Sequence, residues 1–144
     1  MPQAPFEYRY RLALHEVDAA GVAFFGHLFR HAHDAYELFM EGLGLGLREL
    51  LEEGSRGLPL VHCEADFLAP IRHRDPVRIE LTVIRLGTSS FDIGYRFLAQ
   101  DGRPLARAKT RHVLVDRAEG SPLPLPTDMR TPLAAYLQAP PESA

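Results

Sequence analysis

The sequence predicts an α+β fold, and three observations carry that reading. Apolar residues recur every three or four positions from Leu28 to Leu43, segments alternating apolar and polar residues follow Gly54, and one further alternating segment precedes the helix. A strand, a long helix and then four strands in succession imply an antiparallel sheet of about five strands, with the helix covering one of its faces. The 144 residues are one domain's length, so residues 1–140 are expected to form a single domain and residues 141–144 a disordered tail.

Phe6, Tyr8, Tyr10, Leu12 and Leu14 share one side at period two, the pattern of a half-buried strand. A short connection, His15 to Gly26, leads into the helix. There Leu28, Phe29, Ala32, Ala35, Tyr36, Phe39, Met40 and Leu43 form one broad stripe, with Arg30, His31, Asp34, Glu37 and Glu41 opposite. Gly42, Gly44 and Gly46 end that helix, and Leu45 to Glu53 reads as a second, short helix stopped by Gly54. Leu58 to Leu68 is the next strand, ended by Pro70. Val77, Ile79, Leu81 and Val83 alternate with Arg78, Glu80 and Thr82 until the pattern slips at Ile84, which predicts a bulge. After the Gly87-Thr88-Ser89-Ser90 turn, Phe91 to Phe97 alternates again, and the Asp101-Gly102 turn leads into a last strand from Leu105 to Asp116. Pro122 to Pro126 precedes a terminal helix around Leu133 to Leu137.

A net charge of −3 and a pI near 6.1 give no general attraction for phosphate backbones, so nucleic acid is not an expected partner. Cys63 is the single cysteine, which excludes an intrachain disulfide and two-cysteine metal or redox motifs and suits a reducing compartment. No apolar run approaches the ~20 residues of a membrane span and the N-terminus lacks a secretory pattern. The expectation is a cytoplasmic protein with no membrane partner. His27 and His31 lie four apart on the helix without a third ligand at a recognisable spacing, so no metal is expected. No Gly-x-Ser-x-Gly elbow is present, which argues against a serine hydrolase.

Asp18-Ala19-Ala20-Gly21-Val22-Ala23-Phe24-Phe25-Gly26-His27 places one carboxylate among small and apolar residues just before the long helix. A carboxylate there can act on water or on a carbonyl carbon, and the first turn of the helix offers unpaired N–H groups to an oxyanion. It can equally cap its own turn.

At this stretch the sequence resembles the hotdog-fold thioesterases of the 4-hydroxybenzoyl-CoA thioesterase type, through Asp18, Gly21, Val22, Phe24, Phe25 and Gly26. His27 stands where many members carry Asn. The resemblance continues through Ala65-Asp66-Phe67-Leu68-Ala69-Pro70-Ile71 and Asp75-Pro76-Val77. His33-Asp34-Ala35-Tyr36-Glu37 is similar to the subgroup acting on 1,4-dihydroxy-2-naphthoyl-CoA, which implies an aromatic acyl group.

The resemblance implies a hotdog fold, a curved sheet wrapped around the helix, and an acyl-CoA thioester hydrolase. Asp18 would be nucleophile or general base, with the Phe25 N–H, and Gly26 beside it, polarising the thioester carbonyl. Arg72 and Arg74, with Thr88, Ser89 and Ser90, offer donors for CoA, and similar proteins hold CoA partly through that Ser-containing turn. His27 and His62 are further substrate-binding candidates, His62 either facing the acyl pocket or equally a satisfied buried histidine. No cofactor is expected, since coenzyme A is part of the substrate. The resemblance also implies a homo-oligomer, tetramer or dimer, with sites at subunit interfaces. The alternative is a hotdog domain that binds an acyl-CoA or acyl-carrier-protein thioester without hydrolysing it, and Asp18 separates the two because a pure binder has no need of it.

Overall fold

The computed structural model describes residues 2–138; the expected tail at 141–144 lies outside them. In chain order the elements are β1 (Phe6–Arg11), a 3-10 turn (Leu14–Glu16), α1 (Phe25–Gly42), α2 (Leu47–Glu53), β2 (Arg56–Gly57), β3 (Leu60–Phe67), β4 (Pro76–Leu86), β5 (Ser90–Leu98), β6 (Pro104–Val113), β7 (Val115–Asp116) and α3 (Thr127–Ala134). Five strands form one antiparallel sheet in the order β1-β4-β5-β6-β3, and β2 pairs with β7 in a small separate ribbon.

Period two is obeyed where burial is one-sided. Ile79, Leu81 and Val83 of β4 and Phe91, Ile93 and Phe97 of β5 are fully buried on the face that receives α1. α1 presents Leu28, Ala32, Ala35, Tyr36, Phe39 and Met40 to them. Fully burying one large apolar side chain contributes roughly 1.5–3 kcal/mol, so this stripe, and not helix propensity, holds α1 in the sheet. The result is the hotdog architecture that the resemblance implies.

Local signals place the ends. α1 closes on Gly44, which takes the left-handed conformation (φ 78°). Leu45 N–H then donates to Met40 O at 2.9 Å and Gly44 N–H to Glu41 O at 3.0 Å, the paired bonds of a Schellman cap. The register of β4 against β5 shifts between Val83 and Arg85, at the expected slip, and Ile84 folds over the Gly94 backbone, where a Cβ would sit 2.9 Å from its Cγ2.

Other boundaries differ from expectation. β1 stops at Arg11, not Leu14: Leu12 N–H leaves the ladder for Asp75 O, and Leu14 is 70% exposed on the 3-10 turn. α3 begins at Thr127 because the Pro126 carbonyl accepts both Met129 and Arg130 N–H, ahead of the expected Leu133 start. The β2–β7 ribbon was too short to show periodicity. Among the described residues β3 pairs only with β6, which leaves its other edge unpaired, and Leu60, Val61, Phe67 and Leu68 on or beside it are all more than 40% exposed. Among the described residues no helix is long and apolar enough to cross a membrane.

Candidate active site

Between the 3-10 turn and α1 the chain makes a small hairpin. Asp18 N–H donates to Val22 O at 2.9 Å, Val17 bridges Ala23, and Phe24 N–H donates to Glu16 O at 2.9 Å. Its three-residue tip closes through Gly21 N–H to Asp18 O at 3.0 Å, with Gly21 at φ 82°. A side chain there would be strained by the backbone conformation itself, so glycine is required by geometry. The Asp18 side chain completes the turn: Oδ1 accepts the N–H of Ala20 at 2.8 Å and of Val22 at 3.3 Å, while Oδ2 takes no partner among the described residues. Asp18 is thus a turn residue that keeps one carboxylate oxygen uncommitted, on an exposed loop.

The hairpin delivers the chain directly into α1. Phe24 is the cap residue and has no side-chain cap, so the N–H groups of Phe25 and Gly26 find no acceptor among the described residues. Two residues of strand rise and one inter-strand spacing put the Cα atoms of Asp18 and Phe24 roughly 8 Å apart, a gap that a carboxylate side chain and a thioester carbonyl can span together. The Phe24 and Phe25 rings lie 4.6 Å apart and are 45% and 61% exposed, an apolar wall beside that gap. His27 sits on the same first turn, edge-on to Phe24 at 5.9 Å and to His15 at 6.5 Å.

The turn at Arg72–Asp75 docks on this hairpin. Ala23 N–H donates to Ile71 O at 2.7 Å and Val22 bridges Arg72. Asp75 Oδ2 accepts Arg72 N–H at 2.8 Å, and Arg74 takes a left-handed conformation (φ 69°) with its N–H on Leu12 O. The guanidinium groups of Arg72 and Arg74 have no ion-pair partner among the described residues. The structure therefore gathers Asp18, Phe25, Gly26, His27, Arg72 and Arg74 at one end of the sheet.

Thr88, Ser89, Ser90 and His62 are at the other end. The eleven residues of β4 separate the Arg72–Asp75 turn from the Thr88–Ser90 turn, roughly 30 Å of strand. The latter turn is committed to the fold: Arg130 Nη2 donates to Gly87 O at 2.7 Å, and the Ser89 and Thr88 carbonyls accept Leu114 and Leu125 N–H. Ser90 Oγ accepts Arg85 Nη2 at 2.5 Å. Arg85 and Arg111 both hold buried Asp92, Arg111 through two bonds of 2.8 and 3.0 Å. Burial alone would raise the Asp92 pKa, but those two arginines outweigh it and hold the carboxyl below its usual range. His62 pairs with Arg111 in register, on the face away from α1, and bonds Glu64 at 2.9 Å. Within one chain His62 does not face a pocket against α1; the irregularity between Leu60 and His62 turns it outward.

His31 also departs from expectation. It is buried, not opposite the stripe: its Nε2 meets Glu16 Oε2 at 2.8 Å and its ring stacks on Tyr10 at 3.6 Å. Burial pushes the His31 pKa down, only partly offset by Glu16. For Glu16, burial raises the pKa but the His31 hydrogen bond and the Arg30 charge overcome it, so the carboxyl is held low. Glu16 is the site-adjacent residue that sequence reasoning missed.

A long helix held in a curved five-strand sheet and entered through a carboxylate-bearing hairpin defines the hotdog class of thioester hydrolases. The chain belongs to the thioesterase-like superfamily, whose family model matches residues 12–133. A 1,4-dihydroxy-2-naphthoyl-CoA hydrolase from Synechococcus sp. (strain RCC307) is 40% identical over 127 residues, 85% of this chain and 96% of its own length. A hydrolase of the same description from Rippkaea orientalis is 34% identical over 133 residues, 91% of each chain. The crystal structure of a 1,4-dihydroxy-2-naphthoyl-CoA thioesterase from Synechocystis superposes with a TM-score of 0.85 at 32% identity, covering 90% of this chain and 95% of that one.

Proposed function

We propose that this chain hydrolyses the CoA thioester of an aromatic acid at the Asp18 hairpin. The observation that carries this reading is the uncommitted Asp18 Oδ2 on the hairpin that leads into two helix N–H groups with no acceptor among the described residues. As a general base, Asp18 takes a proton from water, whose oxygen attacks the thioester carbon; as a nucleophile, it forms an anhydride that water then opens. Either route places negative charge on the carbonyl oxygen, where the N–H groups of Phe25 and Gly26 stabilise it before the C–S bond breaks and CoA leaves as a thiol. The chemistry asks for no cofactor. Relatives named for an aromatic substrate, together with the exposed Phe24 and Phe25 rings, support an aryl group in the acyl position. Arg72 and Arg74 supply positive charge to the phosphates of CoA, with His27 at the edge of the acyl site.

The functional unit is a homo-oligomer. Among the described residues the outer edge of β3 carries unpaired backbone groups and exposed apolar side chains, which a second copy would cover. Surface grooves of about 390 and 430 Å³ lie at the ends of β1, β4 and β5, and Asp18 lines neither. The Thr88–Ser90 turn and His62 reach a thioester at Asp18 only from another copy. A reducing cytoplasm, where CoA thioesters are made, suits the free and exposed Cys63.

The test is thiol release from a panel of aryl-CoA and fatty acyl-CoA thioesters, with the solution mass measured in parallel. Turnover favouring the aryl-CoA and a dimer or tetramer mass are expected. Ligand binding without turnover would make the protein a thioester-binding module, turnover of fatty acyl-CoA alone would refute the aromatic assignment, and a monomer mass would refute the shared site.

A further inference from the structure

Two residues before Asp18 the chain buries a carboxylate that no step of the reaction uses. The Glu16 side chain is 3% exposed; Oε2 receives His31 Nε2–H at 2.8 Å, and Oε1 receives Arg30. His31 and Arg30 are on the second turn of α1, and the His31 ring lies flat on Tyr10 of β1, with an interplanar angle of 8°. The backbone of the same glutamate accepts Phe24 N–H, the last bond before the helix begins. Glu16 is thus tied through its main chain to the helix entry and through its side chain to the helix one turn further on.

A buried carboxylate held by an arginine and an imidazole is a poor device for stability, because desolvation consumes most of what the pairing returns and an apolar side chain of similar size often serves as well. What such a network does supply is orientation, since hydrogen bonds fix direction where apolar contact does not. The two halves of the reaction centre sit on the two parts that Glu16 joins, Asp18 on the hairpin and the free N–H groups on α1. We infer that Glu16 is a positioning residue: by clamping His31 and Arg30 to the hairpin it sets the spacing and angle between the Asp18 carboxylate and the Phe25 and Gly26 N–H groups. This inference rests on the proposed reading of Asp18 as the reacting carboxylate. Glu16 touches no substrate and acts through its neighbours.

Glu16→Gln keeps the shape but removes the charge and one acceptor oxygen, so the bond to Arg30 is no longer charge-assisted and the bond to His31 survives only if the imidazole changes tautomer and buries an unpaired Nδ1–H. A displacement of the helix entry by a fraction of an ångström lowers kcat for the preferred aryl-CoA by roughly 10- to 100-fold while KM stays within about twofold, because the remote contacts to CoA are unchanged. The Glu16→Gln/His31→Gln double variant, in which two amides can bond each other, is expected to be no slower than Glu16→Gln alone. Thermal unfolding is followed alongside, and rates are taken well below each midpoint so that the folded fraction is constant. Unchanged kcat in Glu16→Gln overturns the inference, as does a proportional change of kcat and KM, or singles whose effects simply multiply in the double. Wild type and Asp18→Asn run in the same assay: an inactive wild type, or a fully active Asp18→Asn, removes the reading of Asp18 and this inference with it. A normal Glu16→Gln beside a dead Asp18→Asn removes the inference alone.

Discussion

Replacing Asp18 by Asn and by Ala separates what its carboxylate does for the turn from what it does for the reaction. Oδ1 holds the Ala20 and Val22 N–H groups, and Asn keeps that oxygen while converting the uncommitted Oδ2 into an amide. The hairpin therefore survives in Asp18→Asn, whereas the base or nucleophile is gone. Loss of such a group costs about 10²- to 10⁴-fold in rate, or about 3–5 kcal/mol of barrier. Ala removes the acceptor too, and because the loop is exposed and water can replace the lost bonds, the added cost is about 0.5–1.5 kcal/mol of stability. At this chain length that is a fall of a few degrees in Tm, on the order of 2–6 °C. Thiol release from an aryl-CoA and a thermal melt, run on wild type and both variants, read the two effects separately. Asp18→Asn is expected to melt like wild type and to be nearly inactive; Asp18→Ala is expected to be equally inactive and less stable. An Asn variant within tenfold of wild-type kcat, beside an Ala variant that loses stability and rate together, would show that Asp18 only shapes the turn.

Other expectations follow from the same geometry. His112, between the rings of Tyr36 and Phe91 at 4.1 and 5.3 Å, is pushed down by burial to about 4 from an ordinary 6.5. The unfolded chain then binds the extra proton between those two values, so this contribution is whole above pH 6.5 and is lost as pH falls toward 4, about 3 kcal/mol in all. Urea unfolding across that window should show the loss in wild type and a flatter dependence in His112→Phe; equal slopes would refute it. Tyr36 buries its hydroxyl with no partner among the described residues, so Tyr36→Phe should leave stability unchanged or raise it by about 1 kcal/mol, and a loss of more than about 1 kcal/mol in a chemical melt would mean the hydroxyl is satisfied. Gly21→Ala forces a Cβ into the left-handed region at φ 82°, costing about 1–2 kcal/mol and lowering kcat through the hairpin, whereas Gly21→Asn should cost less in both melt and rate. Equal behaviour of the two variants would mean the tip relaxes.

What the sequence made legible was local. The Asp18 turn, the Gly44 cap and the Ile84 bulge each depend on a few adjacent residues whose chemistry admits one backbone solution. What it hid were matches between distant segments. His31 lies three residues after Leu28 and four before Ala35, squarely on the buried stripe, yet its polarity reads as a surface position until Glu16 appears opposite it. β3 gives no face to read, since seven of its eight residues are exposed, and one irregularity at Leu60–His62 decides which way His62 points. One consequence was already present in the strand lengths. An antiparallel strand that starts just after Arg74 and ends just before Thr88 must put the two ends of the expected CoA site a full strand apart, whatever the details of the fold. The hairpin that carries Asp18 then bonds to the near end, at Ile71 and Arg72, a strand's length from the Thr88–Ser90 turn. If both ends bind one substrate, as the proposed shared site requires, they come from different copies, and the edge of β3 left unpaired among the described residues is where a second copy would add its own strand.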